Sequence, residues 1–213
     1  RDAGLAQQDH CIRIEEPRPD LFDFPLRPFQ LYRLEYEARG PAPGYWCVNV
    51  YNGAGEMNYA DNYSSVYASP DEFSSQSAVF MARAEAVRGA LGFRPATNPF
   101  EVRSIRIGPI DRAEALAWMD ELNASLPTPR PKLDEDRWSL LPQTRERLRK
   151  GGTLRVVALG DSLSNDMMNG LGHLLIERAY PGVTILPIHA NGPEKSCVNY
   201  RPDDVLQRFV VRH

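Results

Sequence analysis

With 213 residues, 42% of them hydrophobic and 25% charged, the chain has an ordinary globular composition with room for one large domain or two small ones. A net charge of −3 offers no broad footprint for nucleic acid, and no apolar run approaches the roughly 20 residues that span a bilayer. Cys11, Cys47 and Cys197 lack the spacing of a disulfide framework or a metal cluster and read as unpaired, mostly buried thiols, with a Cys11–Cys47 bridge as the alternative.

Up to about residue 110 the apolar pattern has a period of two, broken by Gly, Pro, Asn and Asp. Short strands are expected around Cys11–Ile14, Val66–Ala68 and Ala78–Ala82. In another, Leu34, Tyr36 and Ala38 alternate with Arg33, Glu35 and Glu37. Trp46, Val48 and Val50 form the apolar face of a further strand, and Asn52-Gly53 marks the turn after it. Along Phe100–Ile110 the apolar parity shifts at Arg103-Ser104, and a β-bulge there reconciles the two phases. This grammar predicts an antiparallel, jelly-roll-like β-sandwich. Tyr45, Trp46, Tyr51, Tyr59, Tyr63 and Tyr67 have flat faces that suit sugar stacking; the plainer reading makes half of them core, Trp46 included.

A helix follows, opened by Asp111 with Glu114 as its reciprocal cap and carrying the apolar stripe Ala115, Leu116, Met119 and Leu122. Pro127, Pro129 and Pro131 stiffen the next connection, and Trp138, Leu140 and Leu141 anchor it. A short basic helix over Gln143–Lys150 stops at Gly151-Gly152. From Leu154 the grammar changes to a nearly continuous apolar strand, as if covered on both faces. A turn at Gly160–Ser162 then leads into a helix with Leu163, Met167, Leu171, Leu174 and Leu175 on one stripe, ending near Pro181-Gly182. A second buried strand is expected at Val183–Ile188 and a further helix from Pro202-Asp203-Asp204. The order strand, helix, strand, helix is the opening of a parallel α/β sheet.

A turn at the C-terminal end of a parallel strand is where open α/β sheets place ligands. A serine there faces outward, and the unpaired N–H groups and dipole of the next helix favour an oxyanion beside it. Gly160 permits the sharp turn, while Asp161 and Asn165 support the loop. Gly160-Asp161-Ser162-Leu163 after an apolar strand resembles the first sequence block of the SGNH/GDSL hydrolases. The resemblance covers residues 153–213. It implies Ser162 as nucleophile, the N–H groups of Ser162 and Gly192 as oxyanion donors, and no cofactor. Gly192, in the loop after the second strand, also reads simply as a turn residue. Asn165-Asp166 departs from the family's usual continuation. The family's oxyanion asparagine block and its Asp-x-x-His block are not found, so the resemblance implies the front portion of a longer protein, completed by a missing C-terminal segment.

His189, at the end of the second strand, is the one histidine placed to approach Ser162 as an alternative base; His173 reads as structural or solvated. The expected organisation is a β-sandwich over residues 1–126 with a C-terminal helix, a connection over 127–152, and the first βαβα portion of an SGNH-type domain over 153–213. The expected function is a serine esterase acting on small acyl esters or acylated sugar, inactive as this chain alone, with neither nucleic acid nor membrane as partner. The alternative is a carbohydrate- or partner-binding protein with a non-catalytic α/β part. Arg1-Asp2-Ala3-Gly4-Leu5 is not built like a signal peptide, but a processed export product begins the same way, and a secreted or periplasmic location is expected.

Overall fold

The structure, a computed structural model, describes residues 6–41, 44–58, 64–66, 69–124, 139, 141–160 and 169–191. Among the described residues ten strands come first: β1 (Ala6–Gln8), β2 (Ile12–Ile14), β3 (Arg18–Pro25), β4 (Leu31–Arg39), β5 (Gly44–Tyr51), β6 (Met57–Asn58), β7 (Ser64–Val66), β8 (Ser74–Met81), β9 (Arg88–Pro95) and β10 (Phe100–Ile110). They form two antiparallel sheets. One runs β1-β10-β4-β8 with β2 also on β10; the other runs β3-β9-β5-β6 with β7 also on β5. From β3 to β5 and again from β8 to β10, consecutive strands alternate between the sheets, as in a jelly roll.

The period-two pattern places the core. Tyr32, Leu34, Tyr36 and Ala38 of β4 and Trp46, Val48 and Val50 of β5 point inward with Phe80, Leu91, Phe93, Phe100, Val102, Ile105 and Ile107. Rings dominate this layer: Tyr36 meets Phe93 edge-on at 5.4 Å and Tyr32 stacks on Phe80 at 5.6 Å. The expected bulge is present. The β10–β4 register shifts between Arg103 and Arg106, and Ser104 has φ 52°. The extra residue lets Val102 and Ile105, which differ in parity, both face the core. The Asn52 turn is present too, its Oδ1 accepting the N–H groups of Ala54 and Glu56 at 3.0 Å each. Strands β3 and β9 went unread in the sequence. A Cβ on Gly92 of β9 would lie 2.5 Å from the carbonyl oxygen of Pro19, so this glycine lets the irregular part of β3 cross close above it.

Helix α1 (Arg112–Ala124) starts with the expected reciprocal cap: Glu114 N–H donates to Asp111 Oδ1 at 2.9 Å, and Asp111 N–H donates to Glu114 Oε2 at 3.0 Å. Ala115 and Met119 are buried, but Leu122 is 52% exposed, a correction to the expected stripe. The last turn of α1 overhangs the outer face of the sheet instead of entering the packed layer. Helix α2 (Pro142–Lys150) ends at Gly151, whose φ of 76° suits a residue without Cβ.

Strands β11 (Gly152–Gly160) and β12 (Val183–Asn191) pair in parallel, with helix α3 (Gly172–Ala179) between them in sequence. Two expectations need correction here. β11 is not covered on both faces among the described residues: Val156 and Leu159 are 42% and 40% exposed. Its only described strand partner is β12, and the small cluster of Leu148, Leu154, Tyr180, Val183 and Ile185 shields only its first half. The helical stripe through Leu171 is also interrupted, because Leu171 is left-handed at φ 56° and caps α3. Asn169-Gly170-Leu171-Gly172 explains the break, since two flanking glycines weaken helix continuation. Leu171 and Leu174 are buried, whereas Leu175, one residue round the helix, is 40% exposed. Leu163, Met167, residues 125–138, Leu140 and residues 192–213 lie outside the described residues, so the proline-rich connection and the last predicted helix do too.

The two parts of the chain meet at α1. Leu31 and Val79 from the outer face of the β4–β8 pair, Ala115 and Met119 from α1, and Leu171 and Leu174 form one buried cluster. Arg112 Nε donates to Glu177 Oε2 at 2.7 Å, and Arg178 pairs with Asp120 at 2.9 Å.

Candidate functional site

Two places combine chemistry with a defined position. The first is the C-terminal edge of the parallel pair. The register runs from Gly152 opposite Val183 to Gly160 opposite Asn191, so both strands end side by side. Asp161, Ser162, Asn165 and Gly192 themselves lie outside the described residues, and of Gly160 only the backbone is described.

His189 stands opposite Ala158 on this pair. Burial, with Arg83 and His173 adding to it, pushes its pKa down to about 3, and its Nδ1 is buried without a hydrogen-bond partner among the described residues. An imidazole with so little affinity for protons is a weak acceptor for a serine proton. His173 on α3 is buried, which decides between its structural and solvated readings, and desolvation drops its pKa to about 4 against the opposing pull of Glu177.

The second place is a groove of about 500 Å³ between α1 and the outer face of β4 and β8, lined by Arg33, Glu35, Ser77, Ala117, Trp118, Glu121 and Leu122. Strand parity builds its floor. Arg33 and Glu35 share the outward side of β4, and Ser77 stands opposite Glu35 on β8. Helical spacing builds its wall, because residues 117, 118, 121 and 122 share one face of α1. Trp118 is half-buried and packs against the α1–α3 cluster, while Glu35, Ser77 and Glu121 are exposed. Arg33 Nε is buried without an acceptor among the described residues, and its Nη2 makes only a long 3.5 Å contact to the Glu114 carbonyl oxygen.

No family model matches this sequence, and no curated protein does. Solved structures resemble about half of the chain. The enzymatically active domain of bacteriophage CBA120 tailspike protein 4 is 12% identical with a TM-score of 0.35, and the match covers 50% of this chain and 19% of that one. The CBM22-1 xylan-binding domain of Paenibacillus barcinonensis Xyn10C is 10% identical with a TM-score of 0.32, covering 51% of this chain and 86% of that one. A CBM4 structure is 10% identical with a TM-score of 0.34, covering 52% and 73%. At these scores the likenesses assign the chain to no family.

Of the aromatic residues with sugar-stacking faces, Trp46 is core, Tyr45 is 40% exposed, and Tyr51 lies under the Arg88 guanidinium at 3.7 Å. Tyr59, Tyr63 and Tyr67 are outside the described residues. Cys11 and Cys47 are both free thiols, Cys11 exposed and Cys47 half-buried with its pKa raised by burial; Cys197 is outside the described residues. No group of metal-ligating side chains occurs among the described residues, and no helix there is long and apolar enough to cross a membrane. Sequence reasoning missed the groove. Trp118 borders the apolar stripe of α1, three residues after Ala115 and four before Leu122, and an indole at that edge was the available signal.

Proposed function

We propose that this protein binds carbohydrate in the groove between α1 and the β4–β8 face. One observation carries the reading: an indole wall fixed by packing stands over a floor and rim of hydrogen-bonding groups of both signs. Sugar rings present apolar C–H faces and hydroxyl edges together, and small-molecule clefts pair an aromatic surface with a few convergent polar groups in the same way. The volume falls within the roughly 300–1,000 Å³ of such clefts. Screening the 213-residue chain against an oligosaccharide array tests this. Retention of at least one glycan class is expected, and a blank array sinks the reading.

A second reading is favoured by the strand register. Gly160 stands opposite Asn191, so the two strands end at one edge, and this supports a reading in which an SGNH-type serine esterase carries its serine and its oxyanion glycine just after such strand ends. In that reading the Ser162 hydroxyl attacks an acyl carbonyl and gives its proton to a base; the ester C–O bond then breaks, and the alcohol leaves with that proton. The Ser162 and Gly192 N–H groups hold the oxyanion, and water then releases the acyl group. No metal or organic cofactor is called for. The base comes from outside the described residues, since His189 is a poor acceptor. The 213-residue chain is expected to hydrolyse p-nitrophenyl acetate no faster than its Ser162→Ala variant. In a longer form with esterase activity the same substitution should lower turnover by several orders of magnitude, and equal rates there refute the reading.

A further inference from the structure

We infer that the groove is specific for a neutral sugar ring, packed against Trp118 and held by the Arg33 guanidinium, and that it discriminates against acidic glycans. The inference rests on the carbohydrate-binding reading and adds to it a ligand class and the residue that sets it.

The charges around the groove come first. One guanidinium, Arg33, faces two carboxylates, Glu35 and Glu121, so the lining carries a net negative formal charge. A uronic acid, sulfate or phosphate entering this space meets two like charges at close range, which disfavours it. A cationic ligand is drawn by the two carboxylates, so hydrogen bonding rather than charge has to discriminate against it. A neutral ligand meets no such repulsion.

The hydrogen-bonding pattern narrows the class further. Arg33 lines the groove with a guanidinium that only donates; its Nε–H is buried, so the terminal N–H groups are the ones a ligand meets. Glu35 and Glu121, when ionised, only accept. A ligand that satisfies this set must both accept from a guanidinium and donate to a carboxylate. A carboxylate or phosphate ligand only accepts, and an ammonium only donates. A sugar hydroxyl does both. Ser77, opposite Glu35 across the β4–β8 pair, adds a hydroxyl that serves in either sense.

The geometry is fixed before the ligand arrives. Trp118 packs in part against the cluster that joins α1 to α3, which limits its ring movement. Ala117, the small neighbour on the same helix face, leaves the space beside it open. Arg33 is positioned by its place on β4, and its Nη2 reaches the Glu114 carbonyl oxygen only at 3.5 Å.

The test uses the 213-residue chain with two probe sets, neutral oligosaccharides and their uronic-acid counterparts, read by isothermal titration and tryptophan fluorescence. Neutral probes are expected to bind and acidic ones to bind at least tenfold more weakly. Trp118→Ala and Arg33→Met should each weaken neutral binding at least tenfold. Glu121→Gln and Ser77→Ala change exposed positions with little packing, so they keep the test sound if Trp118→Ala fails to fold. Glu121→Gln should raise the affinity for acidic probes relative to neutral ones. Neutral binding untouched by Arg33→Met, Glu121→Gln and Ser77→Ala overturns the groove while leaving carbohydrate binding standing. Tighter binding of acidic probes overturns the neutral class. Failure of every probe to bind overturns the carbohydrate reading and this inference with it.

Discussion

Glu177 is buried where the two parts of the chain meet, and both of its oxygens are engaged. Oε2 accepts from Arg112 Nε at 2.7 Å, and Oε1 accepts the Ile185 N–H at 2.5 Å. Removing the carboxylate strands a backbone N–H and part of a guanidinium, so Glu177→Ala should cost about 2–4 kcal/mol in a denaturant titration. A loss below about 0.5 kcal/mol would show that water replaces both contacts. His173 and His189 make stability depend on pH. Burial holds their pKa values at about 4 and about 3, below the ordinary 6.5, so the unfolded chain takes up protons that the folded chain refuses. Their contribution is complete above about pH 6.5 and is lost as pH falls toward 4. Arg83 opposes a charge on His189, and Arg112 opposes one on His173, while Glu177 favours the latter. The melting temperature should therefore drop between pH 7 and pH 4. The His173→Leu/His189→Leu double variant should flatten that drop, and an unchanged slope would assign it to other groups.

At the scale of elements, the Asp111–Glu114 cap, the β10 bulge and the Asn52 turn were legible because each is a local bargain among a few neighbouring residues. Replacing Asp111 by alanine should cost about 1 kcal/mol, read from the shift in the thermal midpoint. Strands β3 and β9 were illegible because prolines bracket one, and glycines at 89 and 92 thin the apolar pattern of the other. Their partners, not their composition, make them strands. β11 shows the converse. Its apolar run tells what the strand is able to bury, whereas its exposure depends on neighbours that the run does not encode. Leu171 is a third case. A 3.6-residue stripe passes through it, yet its own backbone is left-handed between two glycines, and burial of its side chain offsets the strain.

At the scale of the whole molecule, the sequence made a candidate of the Ser162 turn and left the groove unseen. A motif is contiguous, whereas the groove exists only once strand parity, cross-strand register and the roll of α1 combine. The same helix ties the molecule together. One face joins the cluster with Leu171 and Leu174, and another lines the groove. A chain cut at an engineered protease site between residues 125 and 138 should thus elute as a single species from a sizing column. Separation into two fragments would show that the Arg112–Glu177 and Arg178–Asp120 pairs and the apolar cluster do not suffice. There is a consequence for recombination. A fusion joint placed just ahead of Asp111 would deliver a sandwich with one wall of its groove removed and Leu31 and Val79 laid bare. A joint placed after Ala124 would carry the groove along but leave Met119 without its cover. For transplantation, then, the unit is the sandwich, α1 and α3 moved as one.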